Sequence, residues 1–134
     1  MKEKFNDATR NRPQGERPID SPLLLINLPE LTKQIKSEDA WQKNDRNAIT
    51  VFKTPGVNTV LVALHANAGM ETHTAPGILS LQVLDGTISF STADEFVQIK
   101  KGQLLTLHAE IPYTVLATEE SVLLLTISKV TGEL

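Results

Sequence analysis

Cysteine is absent from this chain of 134 residues. Disulfide bonds, thiolate zinc sites, iron–sulfur clusters and cysteine nucleophiles are therefore excluded. An excess of basic residues is absent as well, because 13 Lys and Arg stand against 16 Asp and Glu and the two signs are interspersed. Nucleic-acid binding needs a basic surface that neutralises phosphates, so nucleic acid is not expected as a partner.

The chain also lacks long apolar runs. Its longest, such as residues 23–26 and 122–125, fall far short of the roughly 20 apolar residues of a membrane-spanning helix. Residues 1–22 carry charges but no apolar core like that of a signal peptide. These absences predict a protein that has no membrane partner and resides in the cytoplasm.

The length is that of one ordinary domain, and a composition of 40% hydrophobic and 22% charged residues is typical of globular proteins. Residues 1–21 contain prolines and charged residues but few large apolar side chains. We predict that they form a flexible N-terminal arm and that residues 22–134 form the domain. A recognition arm and a segment ordered across a neighbouring subunit are the alternatives.

Two elements are predicted between the arm and the region of strands. Residues 23–28, LLLINL, are predicted as a short strand. PELTKQIKSEDA is predicted as a helix of about three turns, because Pro29 suits the first helical position and apolar residues recur four apart on one face. Such a short helix needs a sheet to pack on, and Trp41 is predicted to hold it there.

The rest of the chain has the pattern of an all-β domain. Eight segments rich in β-branched and large apolar residues are predicted as strands: 48–54, 57–66, 78–84, 87–91, 96–100, 104–108, 113–117 and 122–128. Turn residues separate them, and Asp85-Gly86, which joins two segments directly, predicts a hairpin. Eight strands spaced so regularly predict a sandwich or barrel, and two Greek keys of four strands would make a jelly roll.

Two segments in this region resemble the two signature motifs of cupins. The first, GMETHTAPGILSLQVLDG, begins at Gly69, and the second, GQLLTLHAEIPYTVLA, begins at Gly102. Together with SVLLLTI near the C-terminus they look like small single-domain bacterial cupins of the type-2 conserved-barrel group, whose members mostly lack an assigned reaction. The resemblance covers about residues 46–130. It implies a double-stranded β-helix, the jelly-roll cupin barrel, with the short helix packed outside.

Most of the family's metal ligands have no counterpart in this chain. Cupins supply two histidines and a glutamate from the first motif and one histidine from the second. The matching positions here are His73, Ala75, Leu79 and Tyr113, so one ligand of four is retained. A transition metal needs three or four donors at about 2.0–2.3 Å. We therefore predict no tightly bound metal, with His73 as the ligand if one is present.

Five side chains are candidates for a ligand pocket. By the resemblance, His73 points into the barrel mouth on the same strand face as Ala75, where it could bind a polar ligand or transfer a proton. Tyr113 could close the pocket and form hydrogen bonds there, and a purely structural tyrosine in the barrel wall is the alternative. The other candidates are His65, His108 and Gln82, each of which has a structural or solvent-facing alternative.

Two functions from different classes are consistent with this pattern. The first is a small-molecule-binding barrel with no or weak catalysis, since the frame is kept while the ligand set is lost. The second is a metal-dependent cupin enzyme of the dioxygenase or isomerase type, in which His73 and non-standard donors bind iron, nickel, manganese or zinc. Whether the protein is an enzyme is left open. A homodimer is expected, because cupins commonly pair and exposed edge strands need covering.

Overall fold

Two antiparallel sheets packed face to face form the domain, and two short helices lie on the outer face of the larger sheet. The computed structural model describes residues 4–5 and 17–129. The predicted arm at residues 1–21 therefore lies mostly outside the described residues, and its boundary with the domain stays a prediction. Within residues 17–129, no helix is long and apolar enough to cross a membrane.

The larger sheet has five strands and the smaller has four. A separate short pair consists of β1 (Lys4–Phe5) and β2 (Pro18–Asp20). The helices are α1 (Leu28–Ser37) and α2 (Asp39–Lys43). The larger sheet contains, in spatial order, β3 (Arg46–Thr54), β4 (Val57–Leu64), β11 (Ser121–Ser128), β6 (Ile78–Asp85) and β9 (Leu104–Leu107). The smaller contains β5 (Gly69–His73), β10 (Tyr113–Ala117), β7 (Thr87–Ser91) and β8 (Phe96–Lys100).

Most connections cross from one sheet to the other, and the predicted jelly roll is confirmed. All eight predicted strands are present within a few residues of their expected bounds, and β5 is an additional strand between them. The apolar side chains that face inward from both sheets form one buried cluster between them. This interdigitated layer stabilises the sandwich, because each sheet removes the apolar face of the other from water.

The predicted strand at residues 23–28 is wrong. Residues 22–27 pair with no neighbouring strand. Their side chains alternate instead between contact and solvent: Ile26 packs on the outer apolar cluster, while Leu25 is 92% exposed. This apolar run therefore connects β2 to α1 without joining a sheet.

The predicted Asp85-Gly86 hairpin is also wrong. Strands β6 and β7 lie in different sheets and do not pair. Gly86, with a φ of 87°, turns the chain from one sheet to the other against the backbone of Glu120 and Ser121. The two-residue hairpin lies instead at Pro55-Gly56, where β3 and β4 pair up to the turn.

The predicted helix is present as two helices, because Glu38 has an extended backbone between α1 and α2. The side chain of Asn27 caps α1 by accepting a hydrogen bond from the backbone N–H of Glu30. Trp41 is buried against the outer face of the larger sheet together with Leu31 and Ile35 from α1. The predicted role of Trp41 in holding the helical segment on the sheet is confirmed.

A buried amide on β3 joins this helical segment to the sheet. The Asn47 side-chain amide donates to the carbonyl oxygen of Ile35 at 2.9 Å and to the Glu38 carboxylate at 2.8 Å. We expect Asn47→Ala to lower the free energy of unfolding by about 1–3 kcal/mol, because it removes the donor to the buried Ile35 carbonyl and to the half-buried Glu38 carboxylate. Urea unfolding measures this loss. Asn44→Ala, which removes an exposed amide bonded to Ala40, is the control; an equal loss in both variants would contradict the role of Asn47.

Candidate functional site

The four positions that match the cupin metal ligands do not form a metal centre. Leu79 is fully buried, and Ala75 and Tyr113 are each 5% exposed, all three within the apolar cluster between the sheets. His73 is exposed. It is the last residue of β5, so Ala75 does not continue its strand face as predicted.

The residues present do not fit the metal that cupins often bind. Two of the four matching positions carry aliphatic side chains, which have no electron pair to donate. Within the described part of the chain, no group of three or more His, Cys, Asp or Glu side chains is placed to hold a metal ion. No step of chemistry is therefore assigned to a metal.

His73 and Tyr113 are the one pair of predicted site residues that the structure brings together. They are opposite each other on the paired strands β5 and β10, with ring centroids 6.1 Å apart. On its other side, Tyr113 stacks on Phe90 at a centroid distance of 5.3 Å. Burial raises the pKa of the Tyr113 phenol, so this group is a neutral hydrogen-bond donor and acceptor near pH 7.

Tyr113 is the only tyrosine of the chain, so tyrosinate absorbance reports on it alone. Because burial raises the pKa of Tyr113, we expect this tyrosine to lose its proton at a higher pH in the native protein than in the protein unfolded in urea. The native state then holds its proton longer than the unfolded state. This stabilising contribution is complete below the unfolded pKa of about 10 and is lost as the pH rises through the native pKa. If the pH midpoint of tyrosinate formation in the native protein lay at or below that of the unfolded protein, the phenol would not be buried. The Tyr113→Phe variant gives the background absorbance.

The other three candidates lie apart from this pair. His65 stacks on Trp41 with ring centroids 3.4 Å apart, and its Nε2 lies 2.9 Å from the Trp41 carbonyl oxygen, in the outer layer. Gln82 pairs with Leu124, which packs on the same outer layer. His108 follows β9 and is exposed. The structure does not bring them together with His73, and their role in ligand binding stays a prediction.

A pocket of about 650 Å³ opens at one end of the sandwich. It lies where the hairpin between β3 and β4 meets the start of β6 and the end of β11. Ile19, Pro76 and Ile127 contribute apolar wall. Ile127 also packs on the cluster between the sheets, so the pocket adjoins the inner face of the sandwich. Pro76 is three residues beyond His73 in the chain, which places the pocket at the barrel end where β5 terminates.

Asn58 is the central polar residue of this pocket. It is paired with Lys53 on β3 and with Ile127 on β11. It has the same strand parity as Val62 and Leu64, whose side chains lie in the inner cluster. Its Oδ1 is buried and has no hydrogen-bond partner among the described residues. Such an acceptor costs about 1–3 kcal/mol unless water or a ligand supplies a donor.

Sequence reasoning missed Asn58 and the two lysines that line the same pocket, Lys53 and Lys129. A signal for Asn58 was present: it is the one polar side chain among the inward positions 58, 60, 62 and 64 of β4. The lysines carry no such signal, since a lysine at the end of a strand is ordinarily solvated. The Pro55-Gly56 hairpin brings Lys53 and Asn58 together locally, whereas Lys129 joins them only through the pairing of β4 with the distant strand β11.

The chain matches no known family model and no curated protein. Solved structures do match. A conserved protein of unknown function from Streptococcus pyogenes is 20% identical, with a TM-score of 0.63 over 67% of this chain and 79% of that one. A cupin 2 conserved barrel domain protein from Leptotrichia buccalis is 26% identical, with a TM-score of 0.62 over 66% of this chain and 43% of that one. A cupin-2 domain containing protein from Shewanella frigidimarina is 12% identical, with a TM-score of 0.63 over 78% and 95%.

Proposed function

This small domain has the cupin fold, and we propose that it binds a small molecule without a metal, with no or weak catalysis. The ligand occupies the pocket beside Asn58 at the end of the barrel. The observation that carries this proposal is the buried Asn58 Oδ1 without a hydrogen-bond partner among the described residues, in the wall of a pocket of about 650 Å³.

The volume and lining of the pocket support this proposal. Sites for small molecules usually measure about 300–1,000 Å³ and combine an apolar wall with a few polar groups that fix the orientation of the ligand. Here the apolar wall includes Pro76 and Ile127, and the polar side chains are those of Lys53, Thr54, Asn58 and Lys129. Oδ1 itself is buried, so rotation of the Asn58 side chain would turn it toward the pocket, where a ligand would supply the hydrogen-bond donor that the described chain lacks.

The core of the barrel supports binding at its end rather than at its centre. Cupin enzymes place their chemistry at the motif positions, and here these positions include the fully buried Leu79 in a packed apolar layer. Leu79 and Ala75, both buried in this layer, carry aliphatic side chains that offer no donor to a metal or a substrate. His73 and Tyr113 do not line this pocket, so the proposal does not depend on them.

Nuclear magnetic resonance of the full chain tests the proposal with a library of small organic molecules, charged and neutral. We expect at least one compound to shift the Asn58 side-chain amide resonance. We also expect Asn58→Leu, measured by calorimetry, to weaken that compound about tenfold while leaving the fold intact, because it replaces a buried acceptor that has no partner among the described residues. Asn44→Leu, at an exposed position, is the matched control. Absence of any compound that shifts Asn58 would contradict the proposal.

Metal analysis of the purified protein tests the metal-free part separately. We expect substoichiometric iron, nickel, manganese and zinc, and no change in the thermal midpoint when a chelator is added. The opposite result, a stoichiometric metal that disappears in His73→Ala, would show that the metal-dependent alternative is right.

A further inference from the structure

We infer that the ligand of this pocket is a small organic acid that carries a hydroxyl or N–H group close to its carboxylate. The inference rests on the proposed function and specifies its ligand class. Lys53 and Lys129 would hold the carboxylate, Asn58 Oδ1 would accept the hydrogen bond from the neighbouring donor, and the apolar wall would contact the carbon chain.

The position of the two lysines supports the charge of the ligand. Lys53 lies directly across from Asn58 in the pairing of β3 with β4. Lys129 is fixed at the tip of the same hairpin, because its backbone N–H donates to the carbonyl oxygen of Gly56 at 2.7 Å. Lys53 is therefore part of the hairpin that carries Asn58, and the backbone of Lys129 lies beside the tip of this hairpin; both residues line the pocket. An organic anion in the pocket would lie near both ammonium groups.

The surroundings of the lysines leave their charge available. Among the described residues, neither ammonium group forms an ion pair, and no acidic side chain lines the pocket. The chain as a whole has a formal charge of −3, whereas the charged side chains that line the pocket are both positive. Two cations on one rim attract an anion and orient it, although each is exposed and solvent weakens its effect.

Asn58 specifies the second group of the ligand. A carboxylate has only acceptor oxygens, so it cannot satisfy the buried Oδ1 of Asn58. A ligand with a hydroxyl or N–H beside the carboxylate can pair with the lysines and with Asn58 at once. A site that binds a hydroxyl through a buried polar group discriminates strongly against the analogue that lacks it, because the protein group is then left unpaired.

The apolar wall limits the size and polarity of the rest of the ligand. Ile19, Pro76 and Ile127 offer no polar side-chain atom to a sugar-like chain. Burial of an aliphatic chain against them contributes about 0.8 kcal/mol per methylene. An α-hydroxy acid with a short aliphatic tail has all three features.

The test uses α-hydroxy acids from lactate to α-hydroxyoctanoate. Each acid is compared with its primary amide, which lacks the charge, and with the parent acid, which lacks the hydroxyl. Binding to the full chain is measured from the shift of the Asn58 side-chain resonance and by calorimetry. We expect the hydroxy acid to bind about tenfold more tightly than either analogue.

Two variants assign these preferences to residues. In Lys53→Gln/Lys129→Gln the preference for acid over amide should fall to near unity. In Asn58→Leu the preference for the hydroxy acid over the parent acid should disappear. Lys33→Gln/Lys101→Gln changes the net charge equally at exposed positions outside the pocket and should keep both preferences. Loss of both preferences in this control would overturn the inference.

The remaining outcomes separate this inference from the proposed function. If the amides bind as tightly as the acids, or neutral library compounds shift Asn58 while no acid does, the ligand class is wrong and the binding pocket stands. If neither the acids nor any library compound shifts Asn58, both the ligand class and the proposed function are wrong.

Discussion

Leu79→Glu, which places the cupin motif's own residue at this position, should lower the free energy of unfolding by more than about 4 kcal/mol. Leu79 is fully buried on β6, and its cross-strand neighbours are Ile127 and Leu107. A carboxylate there loses its hydration and finds no cation in the cluster, whose members are apolar apart from the Tyr113 phenol. Urea unfolding monitored by circular dichroism measures the loss.

Ile78→Glu is the matched control for this substitution. It introduces the same side chain one residue earlier on the same strand, at a position that is 40% exposed. We expect a loss below about 1 kcal/mol there, because the carboxylate stays in water. Equal losses in the two variants would show that Leu79 does not face a packed core, and would restore the barrel centre as a possible metal site.

The deficit of Leu79→Glu should also depend on pH. Burial without a partner raises the pKa of the introduced carboxyl above the unfolded value of about 4.3. The native state then binds more protons than the unfolded state at pH values between the two. The variant should therefore regain stability, relative to the original protein, as the pH falls through the native pKa towards the unfolded one. A deficit that does not change over this range would contradict burial of the charge.

Local sequence patterns predicted where the strands of this fold lie better than they predicted which strands pair with each other. A run such as that of β11 is recognisable because consecutive β-branched and large apolar side chains suit a strand covered on both faces. The Asp85-Gly86 pair gives an equally strong local signal, yet here it joins strands of different sheets. Whether a turn closes a hairpin depends on which strands β6 and β7 pair with. Strand β6 pairs with β9 and β11 of the larger sheet, whereas β7 pairs with the next strand, β8, and with β10 of the smaller sheet.

The residues of the candidate site were likewise predicted only in part. The cupin resemblance located His73 and Tyr113, and the structure places them opposite each other. Asn58, Lys53 and Lys129 were missed, because Lys129 joins the hairpin that carries the other two only through the pairing of β4 with the distant strand β11. No motif predicts such a convergence. A polar residue at an inward strand position is the one local sign of it.

Gly86→Ala should lower the free energy of unfolding by about 3–5 kcal/mol. Gly86 has a φ of 87°, a conformation that costs an alanine about 1 kcal/mol by itself. A methyl group here would in addition collide with the Ser121 hydroxyl and with the backbone of Glu120. That hydroxyl accepts a hydrogen bond from the N–H of Thr87 at 3.1 Å, so moving it away breaks the contact between the turn and β11.

Gly102→Ala separates the collision from the backbone conformation. Gly102 has nearly the same φ, 88°, but no atom lies within 4 Å of the position that a Cβ would take. Its substitution should therefore cost only the conformational part, about 1 kcal/mol. The difference between the two variants, measured as the shift in urea midpoint at constant m-value, isolates the close approach of the β6–β7 turn to β11. If both variants lose the same stability, the turn does not pack against Ser121, and the crossing between the two sheets must follow another path.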